Sequence, residues 1–536
     1  MSLRRLLTEA EITAQIPEDP RVSSTRISSI VYDSRECRPG ALFVAVPGEH
    51  TDGHRFIPQA VAAGAKAIVH QAPYDPTCGE APAGRPAPLF MQVPAARPAL
   101  SALSDAFYGR PSRELCVIGV TGTDGKSSTV WFTYQLLRTA GVPAGFISTV
   151  SLETEGEVVD NPWRQSTPEA PEIHRSLREM VEAGKRVAVV EATSHGLSAK
   201  TSRLAHVAFD IGVFTNLSHE HIEFHGSYEQ YRSDKGNLFR ALGKLTERCG
   251  PRGIINANDA EASYYAELVR QAGAGEPLFY SLREVAAPAP GGQPGHVRGE
   301  IVRRQPLSTQ VRVSYRSEGT GDEETELELP VPGWFNVANA LAGAMAAAEA
   351  SGMDLRKILQ GWRSLSAVAG RLEPIASTAP FSVLVDYAHT PGSFEKVLPL
   401  FRESSRGRVI ALFGSAGERD REKRGQQGRV AARYCEVLVL ADEDPRGEDR
   451  MAIIEAIAAG ARETRNERSG EAPRIITEPD RRRAIRRAYE TAEPGDTVVL
   501  LGKGHEKSII YAEESIPWYE ARVAREVLRE MGYQCS

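Results

Sequence analysis

The stretch Leu115-Cys-Val-Ile-Gly-Val-Thr-Gly-Thr-Asp-Gly-Lys-Ser-Ser-Thr129 constrains this chain most, because an apolar run stops at a glycine-rich turn carrying one lysine and then hydroxyls. That pattern reads as a buried strand entering a helix through a tight turn, the local geometry that cradles nucleotide phosphates. Gly122 and Gly125 free the backbone to point its N–H groups inward, and Thr123 and Asp124 complete the turn. Lys126 supplies a point charge, and Ser127 and Ser128 open the helix. A serine hydroxyl directly after the lysine suits Mg²⁺, so ATP with Mg²⁺ is the expected ligand pair. The general phosphate-loop pattern asks for a glycine six residues before the lysine; Val120 stands there, which makes this the shorter G-T-x-G-K-[ST] form.

A chain of 536 residues exceeds what one hydrophobic core serves, and about three domains are expected. The divisions fall at residues 1–112, 113–366 and 367–536. In the first, strand-like Ile27–Arg35 and Gly40–Gly48, helix-like Phe56–Ala63 and strand-like Ala67–Val69 indicate a small α/β domain. In the second, apolar runs end in polar residues at Glu191 and Thr215, as buried parallel strands do where their carboxyl ends form a site. Pro288 to Gly299 reads as a mobile surface loop. In the third, strands ending at Asp386, Gly414, Asp442, Thr477 and Gly502 alternate with helix-like segments. Repeated βα units predict a doubly wound, mainly parallel sheet with Asp386, Asp442 and Gly502 on one rim.

Three further segments carry chemistry. Glu191-Ala-Thr-Ser-His-Gly-Leu197 sets a carboxylate at the end of a buried strand, where it needs a cation or a cap. Thr215-Asn-Leu-Ser-His-Glu-His-Ile-Glu-Phe-His225 crowds three histidines and two glutamates into a turn-rich stretch, a composition found at metal and phosphate sites. Tyr228, Tyr231, Lys235, Leu238 and Leu242 recur at helical spacing, so Lys235 stands on an apolar stripe. A lysine there must snorkel, pair or be modified.

With Asp33-Ser-Arg35, Asp52-Gly-His54, Gly333-Trp-Phe-Asn-Val-Ala-Asn339 and Gly370-Arg371, these segments closely resemble the Mur ligase family over nearly the whole chain. The resemblance implies a UDP-binding first domain, an ATP-binding central domain and a carboxy-terminal domain that receives an amino acid. It assigns Ser127, Glu191, His221 and Lys235 to Mg²⁺, with Lys126, Glu191, His221 and Lys235 catalytic and Lys235 N-carbamoylated. Asn336 would contact adenine, Arg371 phosphate and Asp386 the ribose. Ser34, Gly48, His50, Thr51, Ser166, Thr167, Ser194 and Arg203 would line the UDP-linked substrate. The implied reaction, in the branch adding a diamino acid to UDP-MurNAc-L-Ala-D-Glu in peptidoglycan synthesis, phosphorylates the terminal D-Glu carboxylate and forms an amide. Arg419, Glu443, Asp444, Pro445, Arg446, Gly502 and Glu506 would hold the diamino acid. Arg446 with Arg419 favours meso-diaminopimelate, since guanidinium binds a second carboxylate bidentately. Glu443-Asp444 replaces the Asp-Asn of the diaminopimelate motif and leaves lysine or ornithine as the alternative.

Composition limits the other classes. A net charge of −6 argues against a general nucleic-acid surface, and no apolar run approaches the roughly 18 residues of a membrane span. A cytoplasmic monomer acting on small molecules is expected. The six cysteines lie far apart without a CxxC pair, so neither disulfides nor zinc are anticipated. Rival readings are a folylpolyglutamate or cyanophycin synthetase of the same superfamily, which the Asp33-Ser-Arg35 domain disfavours, and an inactive nucleotide-binding regulator, which intact Lys126, Glu191, His221 and Lys235 disfavour.

Overall fold

The computed structural model describes residues 1–12, 18–48, 51–74, 86–163, 165–218, 222–244, 248–282, 296–317 and 321–535. The chain gathers into two compact units, the first built from residues 1–281, 285–296 and 341–359 and the second from 282–284, 297–340 and 360–536.

The first unit holds two sheets. A four-stranded parallel sheet runs in the order Ser29–Val31, Ala41–Val44, Ala67–His70, Leu89–Gln92, and helix Ala96–Phe107 packs on one face with Leu100 and Leu103 in the core. The second sheet runs Leu278–Leu282, Arg252–Asn256, Ile211–Phe214, Cys116–Thr121, Val187–Glu191, Ala144–Ile147, then turns antiparallel through Ser151–Glu153 and Val159–Asp160. Cys116–Thr121 is thus a central strand, buried throughout and hydrogen-bonded on both sides, so the loop after it departs from a fixed point. Each fully buried Val or Ile on it contributes about 1.5–3 kcal/mol. Gly119 serves a packing purpose: a Cβ there would meet Leu238 Cδ1 at 2.5 Å and the Phe209 ring at 2.8 Å. Its absence lets helix Tyr228–Arg240 lie directly on the strand.

The second unit is built on a six-stranded sheet in the order Glu373–Pro374, Ser382–Asp386, Thr497–Leu501, Val409–Phe413, Val437–Leu440, Arg474–Thr477, parallel except for the first short strand. Helices Pro391–Ser404, Glu422–Tyr434, Arg450–Arg462 and Arg481–Thr491 separate its strands, as the βα alternation predicts. Strands Thr309–Ser317 and Gly321–Leu329 pair antiparallel beside His296–Arg304. His296–Gly299, expected to end a loop, instead open that strand, where Val297 is buried; most of the predicted loop lies outside the described residues.

The cysteine expectation is corrected. Cys116 and Cys249 form a disulfide, with Cα atoms 5.8 Å apart and a sequence separation of 133. They sit at the amino ends of the strands flanking Ile211–Phe214, a proximity created by sheet order that no local spacing reveals. Cys37 and Cys435 are buried thiols as anticipated, and Cys78 lies outside the described residues. Closing so long a loop typically adds about 2–4 kcal/mol. Dithiothreitol, or Cys249→Ser, is expected to lower stability by that amount, read as an earlier denaturant midpoint; an unchanged midpoint would show that the bond contributes nothing in solution.

Candidate active site

At the carboxyl end of Cys116–Thr121 the chain turns through Gly122 and Gly125, at φ of 149° and 83°. A Cβ on Gly122 would lie 1.9 Å from Thr215 Oγ1, so only glycine fits. Gly125 precedes the first turn of helix Lys126–Thr139, whose N–H groups and positive end face the loop. Thr215 Oγ1 and Asn216 Nδ2 donate to the Asp124 carbonyl at 2.7 and 3.0 Å, and Asn216 Oδ1 accepts from Asp124 N at 2.9 Å. Thr215 and Asn216 therefore set the loop's shape, a role that their place in the histidine-rich segment did not announce.

Glu191 ends strand Val187–Glu191 and is 2% exposed. Its Oε2 accepts from Ser127 Oγ and Thr149 N, both at 2.8 Å. A buried carboxylate touching the loop's serine hydroxyl gives two adjacent hard oxygen donors, and this donor set fits Mg²⁺.

Lys235 is 1% exposed on the inward face of helix Tyr228–Arg240. Rather than snorkelling, its Nζ donates to the Gly122 carbonyl at 2.6 Å and lies 4.5 Å from the centre of the Tyr231 ring. Lys126 Nζ donates to the same carbonyl at 3.2 Å and to that of Thr123 at 2.8 Å. Two ammonium groups thus share one backbone oxygen.

His221, the histidine assigned to metal, lies outside the described residues, as does His50. His225, the last histidine of the cluster, is fully buried in its side chain, with Nδ1 2.7 Å from Asp234 Oδ2 and Nε2 3.1 Å from Ser194 Oγ. It orients Ser194, one of the residues assigned to the UDP-linked substrate. Beside it, Thr167 Oγ1 donates to the Glu191 carbonyl at 2.8 Å, and Arg203 holds the Thr167 carbonyl and Glu169 at 3.0 and 2.9 Å. Arg97 approaches Glu169 at 3.5 Å, a member that the sequence reading missed. Thr167, Ser194 and Arg203 are brought together, and Ser166 adjoins them in sequence. Ser34 Oγ donates to Gln59 Oε1 at 3.0 Å and Gly48 N donates to the Thr51 carbonyl at 3.1 Å, and Arg97 joins this side to Glu169, its Nη2 donating to the Pro47 carbonyl at 3.4 Å.

In the second unit, Asn336 is 3% exposed near the start of helix Trp334–Ser351 and donates to the Pro332 carbonyl at 2.8 Å. Asp386 accepts from Leu372 N and Ala388 N, both at 2.8 Å, which ties the strand end to the Gly370-Arg371 turn. Burial raises its pKa, against the opposing pull of Arg371. The Arg371 guanidinium stacks 4.7 Å from the Tyr387 ring centre.

Pro445, Gly502 and the expected amino-acid residues meet at the carboxyl ends of Val437–Leu440 and Thr497–Leu501; Arg419 is exposed on an adjoining loop, which Gly417 N ties to the Asp444 carbonyl at 2.8 Å. The organising residue is Lys503, fully buried, with Nζ 2.8 Å from Asp444 Oδ1 and 2.7 Å from Glu506 Oε2. Glu443 lies against Gly502 with its Oε2 lacking a hydrogen-bond partner, and burial pushes its pKa up to about 7. Arg446, at φ 53°, likewise has an Nε without a partner. Beneath them Arg481 is wholly buried on Glu520 at 2.7 Å and donates to the carbonyls of Asp442 and Leu501, binding the two strand ends together.

Comparison with known proteins agrees with this geometry. The chain matches the Mur ligase family catalytic domain at residues 26–108, the Mur ligase middle domain at 120–347 and the Mur ligase glutamate ligase domain at 370–504. It is 46% identical to a UDP-N-acetylmuramyl-tripeptide synthetase of Roseiflexus and 42% identical to that of Treponema denticola, covering 95% of each chain in both cases. Among solved structures it resembles a UDP-N-acetylmuramoyl-L-alanyl-D-glutamate–2,6-diaminopimelate ligase with a TM-score of 0.68 and 24% identity, covering 99% of both chains.

Proposed function

As the chain belongs to the Mur ligase family, we propose that it is an ATP-dependent ligase that joins a diamino acid to UDP-MurNAc-L-Ala-D-Glu in peptidoglycan synthesis. The observation that carries this reading is the convergence of Lys126, Ser127, Glu191 and Lys235 on one phosphate loop. A free carboxylate is a poor electrophile. Transfer of the γ-phosphoryl group of ATP to its oxygen releases ADP and leaves an acyl phosphate; the amine then attacks the carbonyl carbon, and phosphate departs as the amide forms and the amine gives up a proton. Lys126 and the loop N–H groups stabilise charge on the phosphoryl oxygens. Ser127 and Glu191, with His221 and a carbamoylated Lys235, would hold Mg²⁺, which when bound offsets phosphate charge. Arg203, Thr167 and Ser194 orient the muramoyl peptide, with uridine at Ser34 and Gly48–Thr51. Asn336, Arg371 and Asp386 would serve the nucleotide. The functional divisions are 1–112, 113–366 and 367–536, and the reaction belongs in the cytoplasm, carried out by a single chain. Among the described residues no helix is long and apolar enough to cross a membrane. Continuous ADP release should require the UDP-linked dipeptide and a diamino acid together; continuous release in the absence of the UDP-linked dipeptide would refute the ligase reading.

For the diamino acid, sequence alone favours meso-diaminopimelate, and the charges around Lys503 support the alternative, lysine or ornithine. Of the two arginines proposed for a second carboxylate, Arg446 follows the end of strand Val437–Leu440, and Arg419 is exposed on a loop that Gly417 N ties to the Asp444 carbonyl at 2.8 Å. Glu443, Asp444 and Glu506 gather at the strand ends, and Lys503 is shared by the latter two. The unpartnered Glu443 oxygen suits a distal ammonium, whereas Lys503 is already held by Asp444 and Glu506, so a second carboxylate would rely on Arg446, whose Nε also lacks a partner. Lysine or ornithine is therefore expected to be turned over at least about tenfold more efficiently than meso-diaminopimelate. Glu443→Gln should raise the KM for the diamino acid by about 10–100-fold with little change in kcat. Ammonium binding needs ionised Glu443, so that KM should fall as pH rises through about 7 in wild type and stay flat in Glu443→Gln. Preference for meso-diaminopimelate that disappears in Arg446→Ala would restore the sequence-based assignment.

A further inference from the structure

Cys116, Asp210 and Cys249 come together at one end of the larger sheet of the first unit, where one ligating atom from each lies within 4.8 Å of the other two. Sheet order makes the cluster: Cys116 opens strand Cys116–Thr121, Asp210 immediately precedes its neighbour Ile211–Phe214, and Cys249 precedes Arg252–Asn256 on the far side of that neighbour. Among the described residues no other three histidine, cysteine or acidic side chains meet so closely. Asp210 is fully buried and Cys116 nearly so, whereas Cys249 is half-buried and gives the cluster a way to solvent. Asp210 Oδ2 accepts from Val117 N at 2.8 Å. Such a hydrogen bond is how ligating carboxylates are commonly fixed, and an ionised carboxylate has lone pairs on both oxygens to spare. The phosphate loop leaves the opposite, carboxyl end of Cys116–Thr121, roughly 15–20 Å away along the strand, so the cluster is separate from the residues proposed for Mg²⁺.

The disulfide is one state of this pair. In a reducing compartment, where cysteines are kept as thiols, a dithiol reductant delivers two electrons and two protons to the Cys116–Cys249 bond and leaves as its own disulfide. The backbone that carries the bond sets the two Cα atoms 5.8 Å apart, near enough for both sulfurs to share one tetrahedral ion, on which sulfurs stand about 3.8 Å from each other. We propose that reduced Cys116 and Cys249, with Asp210, bind Zn²⁺, and that the disulfide and the metal-bound form are alternative ways of tying the same strand ends together. Binding releases both thiol protons, and water takes the fourth position from the Cys249 side. The donor set decides the ion, because thiolates favour Zn²⁺ over Mg²⁺ or Ca²⁺, which take oxygen. The site is independent of the reaction proposed above.

The test uses the full chain, reduced with a phosphine that is then removed, and Co²⁺ as a spectroscopic probe for Zn²⁺. One equivalent of Co²⁺ should produce a sulfur-to-cobalt charge-transfer band that one equivalent of Zn²⁺ bleaches, and Zn²⁺ should raise the denaturant midpoint of the reduced chain. The oxidised chain, a control that needs no substitution, should give no band. Cys249→Ser should abolish the band, and Cys535→Ser, at a half-buried thiol outside the cluster, should leave it intact. Asp210→Asn keeps an oxygen to accept from Val117 N while removing the charge, so the strand end stays tied and Co²⁺ binding should weaken at least about tenfold. Absence of the band in reduced wild type, the same band in the oxidised chain, its survival in Cys249→Ser, a midpoint unmoved by Zn²⁺, or undiminished affinity in Asp210→Asn would each overturn the proposal.

Discussion

Lys126→Ala is expected to lower ADP formation by about 10²–10³-fold while leaving affinity for the UDP-linked dipeptide unchanged. The magnitude is that of removing one preorganised donor aimed at charge that develops during phosphoryl transfer. Selectivity follows from placement. Lys126 contacts only the carbonyls of Gly122 and Thr123, whereas the residues proposed for the uridine sit with the four-stranded sheet, around Gln59 and Thr51. Removing the lysine also leaves the loop's shape to Thr215 and Asn216, which hold Asp124 from outside it. The measurement is coupled ADP release beside calorimetric titration of the UDP-linked dipeptide. If the folded variant loses nucleotide-sugar binding to the same degree as ADP release, the two sites are not separate and the assignment of the first domain fails.

What the sequence disclosed depended on whether the information was local. The strand, turn and helix around Lys126 were readable because every constraint lies within fifteen residues, and the βα alternation after Gly370 was readable for the same reason. Lys235 was placed on a buried stripe by its 3.6-residue period alone, yet its partner, the Gly122 carbonyl, lies 113 residues away and could only come from packing at Gly119. The Cys116–Cys249 bond was missed on the same ground, since sheet order brings the two together. Lys503 was passed over because a lysine flanked by glycines reads as loop chemistry; its burial between Asp444 and Glu506 is set by two strand ends meeting. Arg419 was named from its motif position alone, and its side chain is exposed on a loop that Gly417 ties to the Asp444 carbonyl.

Lys235→Ala should reduce ligation by about 10²-fold or more, with bicarbonate and a short-chain carboxylate such as acetate restoring part of it. The reason lies in the shared carbonyl. With Lys126 Nζ at 3.2 Å and Lys235 Nζ at 2.6 Å from Gly122 O, two like charges meet in a buried setting where solvent screens them little. The Tyr231 face lies 4.5 Å from the same Lys235 ammonium. Addition of CO₂ to the neutral amine forms an N–C bond and releases a proton, turning the second cation into an anion with two oxygens. Repulsion toward Lys126 becomes attraction, and the side chain gains oxygen donors of the kind a magnesium ion takes. Lys235→Arg separates this role from a merely cationic one, because guanidinium keeps the charge and does not form the carbamate. A carbamate carbonyl signal from ¹³C-bicarbonate should appear in wild type and vanish in both variants, with both comparably inactive. Full activity in Lys235→Arg, or no such signal in active wild-type enzyme, would leave Lys235 as a structural cation and remove the carbamate from the reaction.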